Sequence, residues 1–162
     1  MRTQKRRRKE NRTDYLKRLK LLKGETPRIV FRKTNKYIIS EYTVSKEAQD
    51  SVVMGMDSRK LNEYGWPKTA QGSLKSITAS YLTGYLTGKT ILKQKLEEPI
   101  LDAGMNRVLH KNKIYAFIKG LIDSGIKINC KKEFFPEEER IKGDHLKNKI
   151  PFSEIKSKID KL

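Results

Sequence analysis

Apolar positions along this chain follow two rhythms. Between residues 28 and 57 they alternate or cluster in short blocks of Ile, Val, Phe, Tyr and Met. From residue 73 to 124 they recur mainly at the spacing of an amphipathic helix. Residues 28–33 and 36–43 read as paired strands. Thr34-Asn35 forms the tight turn between them, because Asn tolerates the left-handed backbone such turns need. Residues 50–57 supply a further strand through Val52, Val53, Met54 and Met56, and short connections make this set an antiparallel meander. Residues 58–72 read as a loop, since Gly65 and Pro67 forbid a regular helix there. Trp66 within it is better read as a plug at the edge of the core than as a base-stacking platform.

Residues 73–95 carry the strongest helical pattern: Leu74, Ile77, Tyr81 and Tyr85 form one stripe, with Thr78, Leu82 and Leu86 beside it. Ser80, Gly84 and Gly88 fall one helical turn apart. Each glycine costs ~1 kcal/mol of helix propensity relative to alanine, so the smooth strip must gain from close approach. A sheet or second helix is the preferred neighbour, ahead of an RNA backbone. Residues 98–104 read as a strand leaving through Asp102-Ala103-Gly104. Residues 113–124 form a second helix with Ile114, Phe117, Ile118, Leu121 and Ile122 inward, and residues 125–128 a last short strand. The resulting fold class is α/β: a mixed sheet made of an antiparallel meander and then helix-strand-helix-strand, covered by helices.

At the C-terminal side, Pro136 followed by Glu137, Glu138 and Glu139 suits a helix start, and Ser153 caps a final amphipathic segment bearing Ile155, Ile159 and Leu162. At the other side, Thr13 reads as an N-cap with Asp14 in the first turn of a short helix. Tyr15, Leu19 and Leu22 make its apolar stripe, Lys17, Arg18, Lys20 and Lys23 its other face, and Gly24 and Pro27 its end. The chain thus divides into a basic arm with its short cationic helix (1–26), an α/β core (27–130) and a helical tail (131–162).

Charge changes the picture most. Residues 1–36 hold 15 Lys+Arg against 3 Asp+Glu, and so most of the net +18 of the 162-residue chain. The opening run Arg2, Lys5, Arg6, Arg7, Arg8, Lys9, Arg12 has no apolar side chain to bury, so it is expected to be a solvated arm that orders on a phosphate-rich partner. With the cationic helix and the basic hairpin tip it suits the irregular surface of folded RNA. The candidate RNA-binding residues are Lys5, Arg6, Arg7, Arg8, Lys9, Arg12, Tyr15, Arg18, Lys20, Arg28, Arg32, Lys33, Asn35 and Lys36.

Other chemistry is scarce. Cys130 is the only cysteine, so neither a disulfide within the chain nor a cysteine zinc module is possible, and His110 and His145 are too few for a metal cage. No apolar run reaches membrane-spanning length, the arm has no wedge for a lipid surface, and a cytosolic compartment is expected. Phosphate-binding, dinucleotide and nucleophile-elbow motifs are missing, so no cofactor is expected. Nor is there a helix-turn-helix or zinc finger with which to read DNA. One enzymatic alternative is a magnesium-dependent nuclease using Asp57, Asp102 and Asp123, against which stands the common use of Asp in turns.

One family shares an ordered set of these segments. Arg6-Arg7-Arg8, Arg12-Thr13-Asp14-Tyr15, Arg18-Leu19-Lys20-Leu21-Leu22, Pro27-Arg28-Ile29-Val30 and Arg32-Lys33-Thr34-Asn35-Lys36 come first. Tyr64-Gly65-Trp66, Ala79-Ser80-Tyr81-Leu82-Thr83-Gly84, Ile100-Leu101-Asp102-Ala103-Gly104, Ala116-Phe117-Ile118-Lys119-Gly120 and Pro136-Glu137-Glu138-Glu139-Arg140-Ile141 follow. In this order they resemble large-subunit ribosomal protein eighteen in its archaeal form. The resemblance implies a non-catalytic fold related to ribonuclease H. It implies binding to 5S rRNA in the central protuberance, beside large-subunit rRNA and neighbouring ribosomal proteins, with the arm, first helix and hairpin on RNA. Gly72-Ser73-Leu74-Lys75 and Val108-Leu109-His110-Lys111-Asn112 depart from the family pattern.

Overall fold

The computed structural model describes residues 3–47, 49–146 and 149–162, so Arg2 of the basic run lies outside the described residues. Its centre is a four-stranded sheet in the order β3-β2-β1-β4. The strands are β1 (Arg28–Lys33), β2 (Ile38–Lys46), β3 (Gln49–Asp57) and β4 (Ile100–Asp102). β1, β2 and β3 pair antiparallel as expected, and β4 joins the far side of β1 in parallel, which makes the sheet mixed. Pro99 has no N–H to give, so β4 starts one residue later, where the Ile100 N–H donates to the Pro27 carbonyl at 2.9 Å. It stops at Asp102, whose Oδ1 accepts the Gly104 N–H and turns the chain.

The β1–β2 connection is longer than the expected two-residue turn. The Thr34 N–H donates to the Tyr37 carbonyl at 2.9 Å, while the Thr34 hydroxyl accepts the Tyr37 N–H at 3.0 Å. Lys36 therefore sits in the loop, and β2 begins at Ile38. Across β2 and β3 the register slips: Tyr42 pairs with Met54 and Thr43 with Val52, leaving Val53 as the extra residue of a bulge.

Helix α1 is a single turn (Arg6–Lys9) and α2 spans Tyr15–Lys23. The N-cap of α2 is Asp14 instead of Thr13, its carboxylate accepting the Leu16 and Lys17 N–H groups. α3 (Ile77–Lys93) and α4 (Lys113–Ser124) lie side by side and run in parallel, since Ser80 bonds the Lys113 carbonyl while Gly88 faces Ser124. A Cβ added at Gly84 would lie 2.3 Å from the Phe117 carbonyl oxygen, and one at Gly120 2.2 Å from that of Tyr81. Helix–helix contact is thus the reason for the smooth strip. α3 starts later than its apolar pattern, because residues ahead of it form a 3₁₀ turn (Lys68–Ser73) and Ser76 provides the cap.

The fifth strand expected at residues 125–128 is not a strand. Gly125 takes the left-handed conformation, and the Ile126 N–H returns to the Leu121 carbonyl at 3.1 Å, closing the end of α4 in a helix-terminating turn. Ile126 is buried, but as a plug against Gly88.

Two apolar clusters result. One fills the space between the sheet and α4 with Ile29, Phe31, Ile38, Tyr42, Phe117 and Leu121. The other, built on α3, takes in Trp66, Leu74, Tyr81 and Tyr85, together with Ile141, Ile150, Ile155 and Ile159 from the C-terminal segment. Trp66 is 3% exposed and its Nε1 donates to the Ala70 carbonyl, so it plugs the core. The C-terminal segment adds α5 (Glu138–Lys142) and α6 (Phe152–Asp160), the latter entered from Pro151 in place of a Ser153 cap.

Candidate nucleic-acid interface

The face of the sheet turned away from α3 and α4 carries Arg28, Val30 and Arg32 of β1, with Glu41 and Thr43 opposite them on β2. The arm and α2 lie over one end of this face and enclose a cleft of about 700 Å³. Arg7 and Arg12 line it from the arm, Lys17 and Arg18 from α2, and Arg32 and Lys33 from β1. Met105 and Asn106 close it beyond β4, with the Asn106 amide donating to the Phe31 and Ala103 carbonyls.

Each candidate residue has a definite place. Arg7 Nε donates to the Thr13 hydroxyl at 3.0 Å, and Arg12 lies 3.3 Å from Glu10, both at the cleft mouth. Arg8, Tyr15 and Lys20 line a second hollow on the outer side of α2. There Arg8 meets Met105 Sδ at 3.3 Å and Asp14 at 3.8 Å, and Lys5 lies 4.6 Å above the Tyr15 ring. Arg6 and Lys9 face solvent on α1, with Arg6 3.6 Å from Glu10. Arg32 is exposed and 3.8 Å from Glu41. Lys33, Asn35 and Lys36 are exposed around the hairpin tip. Arm, helix and hairpin therefore share one side of the molecule, although Asn35 and Lys36 are outside the cleft itself.

Arg28 is a correction. It is only 2% exposed, and it lies at the start of β1, away from the hairpin tip. Although it borders the cleft, its guanidinium is committed to Asp50, Ser45 and Asp102, which leaves it little surface to offer a phosphate. The other end of this network is Arg18, whose Nη1 donates to Asp50 Oδ2 at 2.8 Å. Burial pushes the Asp50 carboxyl upward, but bonds from Arg18 and Ser45 and the Arg28 and Arg18 charges outweigh it, leaving its pKa below the ordinary value. The arm is also less free than its composition suggests. It forms a helical turn and touches Met105, although no side chain of α1 or α2 is buried.

The sequence reading missed Lys17 and the lysines beyond the hairpin. Lys17 lies one helical turn after the Asp14 cap, a spacing that the sequence does display. The pKa of Lys113, at the start of α4, is lowered by burial and by the positive charges of Lys33 and Lys75. The basic surface thus continues from the hairpin toward the N-terminal ends of α3 and α4.

The carboxylates named for a nuclease have other work. Asp57 binds the Arg59 guanidinium, Asp102 takes Arg28, and Asp123 accepts the Tyr81 hydroxyl at 2.7 Å. Among the described residues no group of His, Cys, Asp and Glu could hold a metal ion, and no helix is long and apolar enough to cross a membrane.

The model of a family described as ribosomal large subunit proteins 60S L5 and 50S L18 matches residues 1–98, which carry the arm, α2, the meander and α3. The large ribosomal subunit protein uL18 of Korarchaeum cryptofilum is 42% identical over 141 residues, covering 87% of this chain and 70% of that protein. The chain belongs to the uL18 family of large-subunit ribosomal proteins. Its similarity to the uL18 proteins of Methanoculleus marisnigri (39% identity, 90% of this chain, 81% of that protein) and Methanoregula boonei (36%, 87% and 79%) is just as extensive. Family membership makes it a structural component of the ribosome, a ribonucleoprotein constituent that binds rRNA and serves translation. The basic cleft lies inside the matched segment except for Asp102 of β4 and the wall beyond it.

Proposed function

We propose that this chain binds 5S rRNA, helps attach it to the large-subunit rRNA in the central protuberance, and meets neighbouring ribosomal proteins there. One observation carries this reading. Seven basic side chains, from the arm, α2 and β1, line a single cleft on the open side of the sheet, and all but the buried Arg28 keep accessible surface. Such a cleft suits a phosphate backbone that crosses from helix to hairpin, where Arg offers a two-pronged grip and Lys a point charge. The division into arm (1–26), core (27–130) and tail (131–162) then has a functional sense, with the arm and the hairpin of the core on RNA and the rest giving them a rigid mount. An antiparallel meander joined by a parallel β4 supports kinship with ribonuclease H-like folds, without their catalysis.

The test is binding of purified 5S rRNA across a salt series. Log affinity should fall linearly against log salt, by roughly 0.7–0.9 for each phosphate neutralised. A nearly flat line would remove the electrostatic basis of the proposal. RNA cleaved during incubation with magnesium would favour the nuclease alternative.

A further inference from the structure

Resting on the RNA reading above, we propose that Arg28 and Asp50 are positioning residues for RNA binding. Arg28 is sealed from solvent and Asp50 has the wrong sign for a phosphate, yet together they set the pose of α2 over the sheet. The contacts form an unbroken chain. Arg28 Nη1 donates to Asp102 Oδ2 at 3.3 Å, and Arg28 Nη2 donates to Asp50 Oδ1 and Ser45 Oγ, each at 2.7 Å. The Ser45 hydroxyl donates to Asp50 Oδ1 at 2.6 Å, and Asp50 Oδ2 receives Arg18 at 2.8 Å. One buried guanidinium thereby connects β1, β2, β3 and β4 to α2.

Among the described residues the other contacts seen for α2 are looser. Leu21 and Leu22 are half-buried, and none of its nine residues is fully buried. The Lys17 ammonium reaches the Gly104 carbonyl only at 3.5 Å. The Arg18–Asp50 pair is shorter, charge-assisted and anchored at its far end by a residue clamped between strands, with Thr43 on one side and Ile100 on the other. A carboxylate beside a cationic cleft also weakens attraction for RNA through its charge alone. Its presence is accounted for by what it holds in place.

Charge and positioning predict opposite signs for one substitution. Asp50→Asn removes a negative charge near the cleft, so electrostatics alone predicts tighter binding of 5S rRNA. Positioning predicts weaker binding, by about tenfold, the ratio that matches 1.4 kcal/mol. Affinity should be measured far below the melting temperature, with buried Trp66 fluorescence showing that the core is intact. Hydrogen exchange should speed up at the α2 amides, and Asp50→Glu, which keeps the carboxylate, should recover part of the affinity. Arg28→Met, with Asp102→Asn to avoid an orphaned acid, should show the same loss. Equal or tighter binding by a folded Asp50→Asn protein overturns the inference while leaving the RNA reading intact. A wild type that does not bind 5S rRNA overturns both.

Discussion

Two seams in this protein join helices to their neighbours by opposite means. Between α3 and α4, glycines let backbones touch, and the surface is buried almost entirely. Between α2 and the sheet no side chain of the helix is fully buried, and the firmest bond is an ion pair. A glycine seam tolerates no added atom, because close-packed backbone cannot give way. An ion-pair seam tolerates changes of volume and responds to changes of charge, salt and pH. The rigid seam belongs to the scaffold and the adjustable one to the face proposed to meet RNA.

Breaking the glycine seam should have the largest effect. Gly120→Val would force a branched side chain against the Tyr81 carbonyl, and a loss of about 4 kcal/mol or more, or failure to fold, is expected in denaturant titration. Ile155→Ala should come next, at about 3 kcal/mol, because Ile155 is fully buried in the cluster around α3. A wild-type-like midpoint for either variant would mean that the rigid seam, or the docking of α6, contributes less than its geometry requires.

The charged seam should show itself in acid. The Asp50 carboxyl is held below its ordinary value despite its burial, chiefly by Arg18 and Ser45, and Asp160 by the Tyr85 hydroxyl and Lys89. Carboxyls depressed in the fold add stability that is fully present above their unfolded pKa of about 4 and is lost as pH falls through the lower folded values. Melting temperature should therefore drop below about pH 4, and Asp50→Asn should flatten part of that limb. An unchanged acid limb in Asp50→Asn would show that the pair adds nothing to the folded state.

Smaller effects should come from the arm and hairpin. Deleting residues 1–12 should change stability by no more than about 0.5 kcal/mol, since α1 buries no side chain, while affinity for 5S rRNA falls. A large drop in melting temperature would place the arm on the rigid side of the comparison. At the hairpin, Arg32→Ala should weaken binding a few-fold and make the salt slope shallower by about one phosphate. Arg32→Lys should weaken it less and leave the slope unchanged. If the lysine variant equals wild type, the exposed end of β1 adds charge without shape.

What could be read from sequence follows the same division. The glycine strip, the Trp66 plug and the three-strand meander are local patterns, visible because helix and strand periods impose them. Arg28 was misplaced because its partners lie 22 and 74 residues away, and only the folded sheet brings them together. The missing fifth strand has a local cause in the Gly125 turn, but Ile126 and Ile128 carry the same β-branched signature whether they pair or plug. Lys17 was passed over because a cationic helix presents many lysines, and its sequence cannot say which side the sheet occupies.

The place of α6 has a consequence for how the protein is made. Tyr85 and Asp160 are hydrogen-bonded across 75 residues of chain, as are Tyr81 and Lys156. During synthesis the cationic arm and α2 leave the ribosome long before Ile155 and Ile159 can reach α3. A nascent chain at that stage carries the arm's full charge and an uncovered aromatic stripe, the kind of exposed surface from which aggregation starts. Contacts this distant in sequence also close slowly. The newborn protein therefore keeps that stripe uncovered until Ile155 and Ile159 have emerged, so α6 is the element that closes the fold.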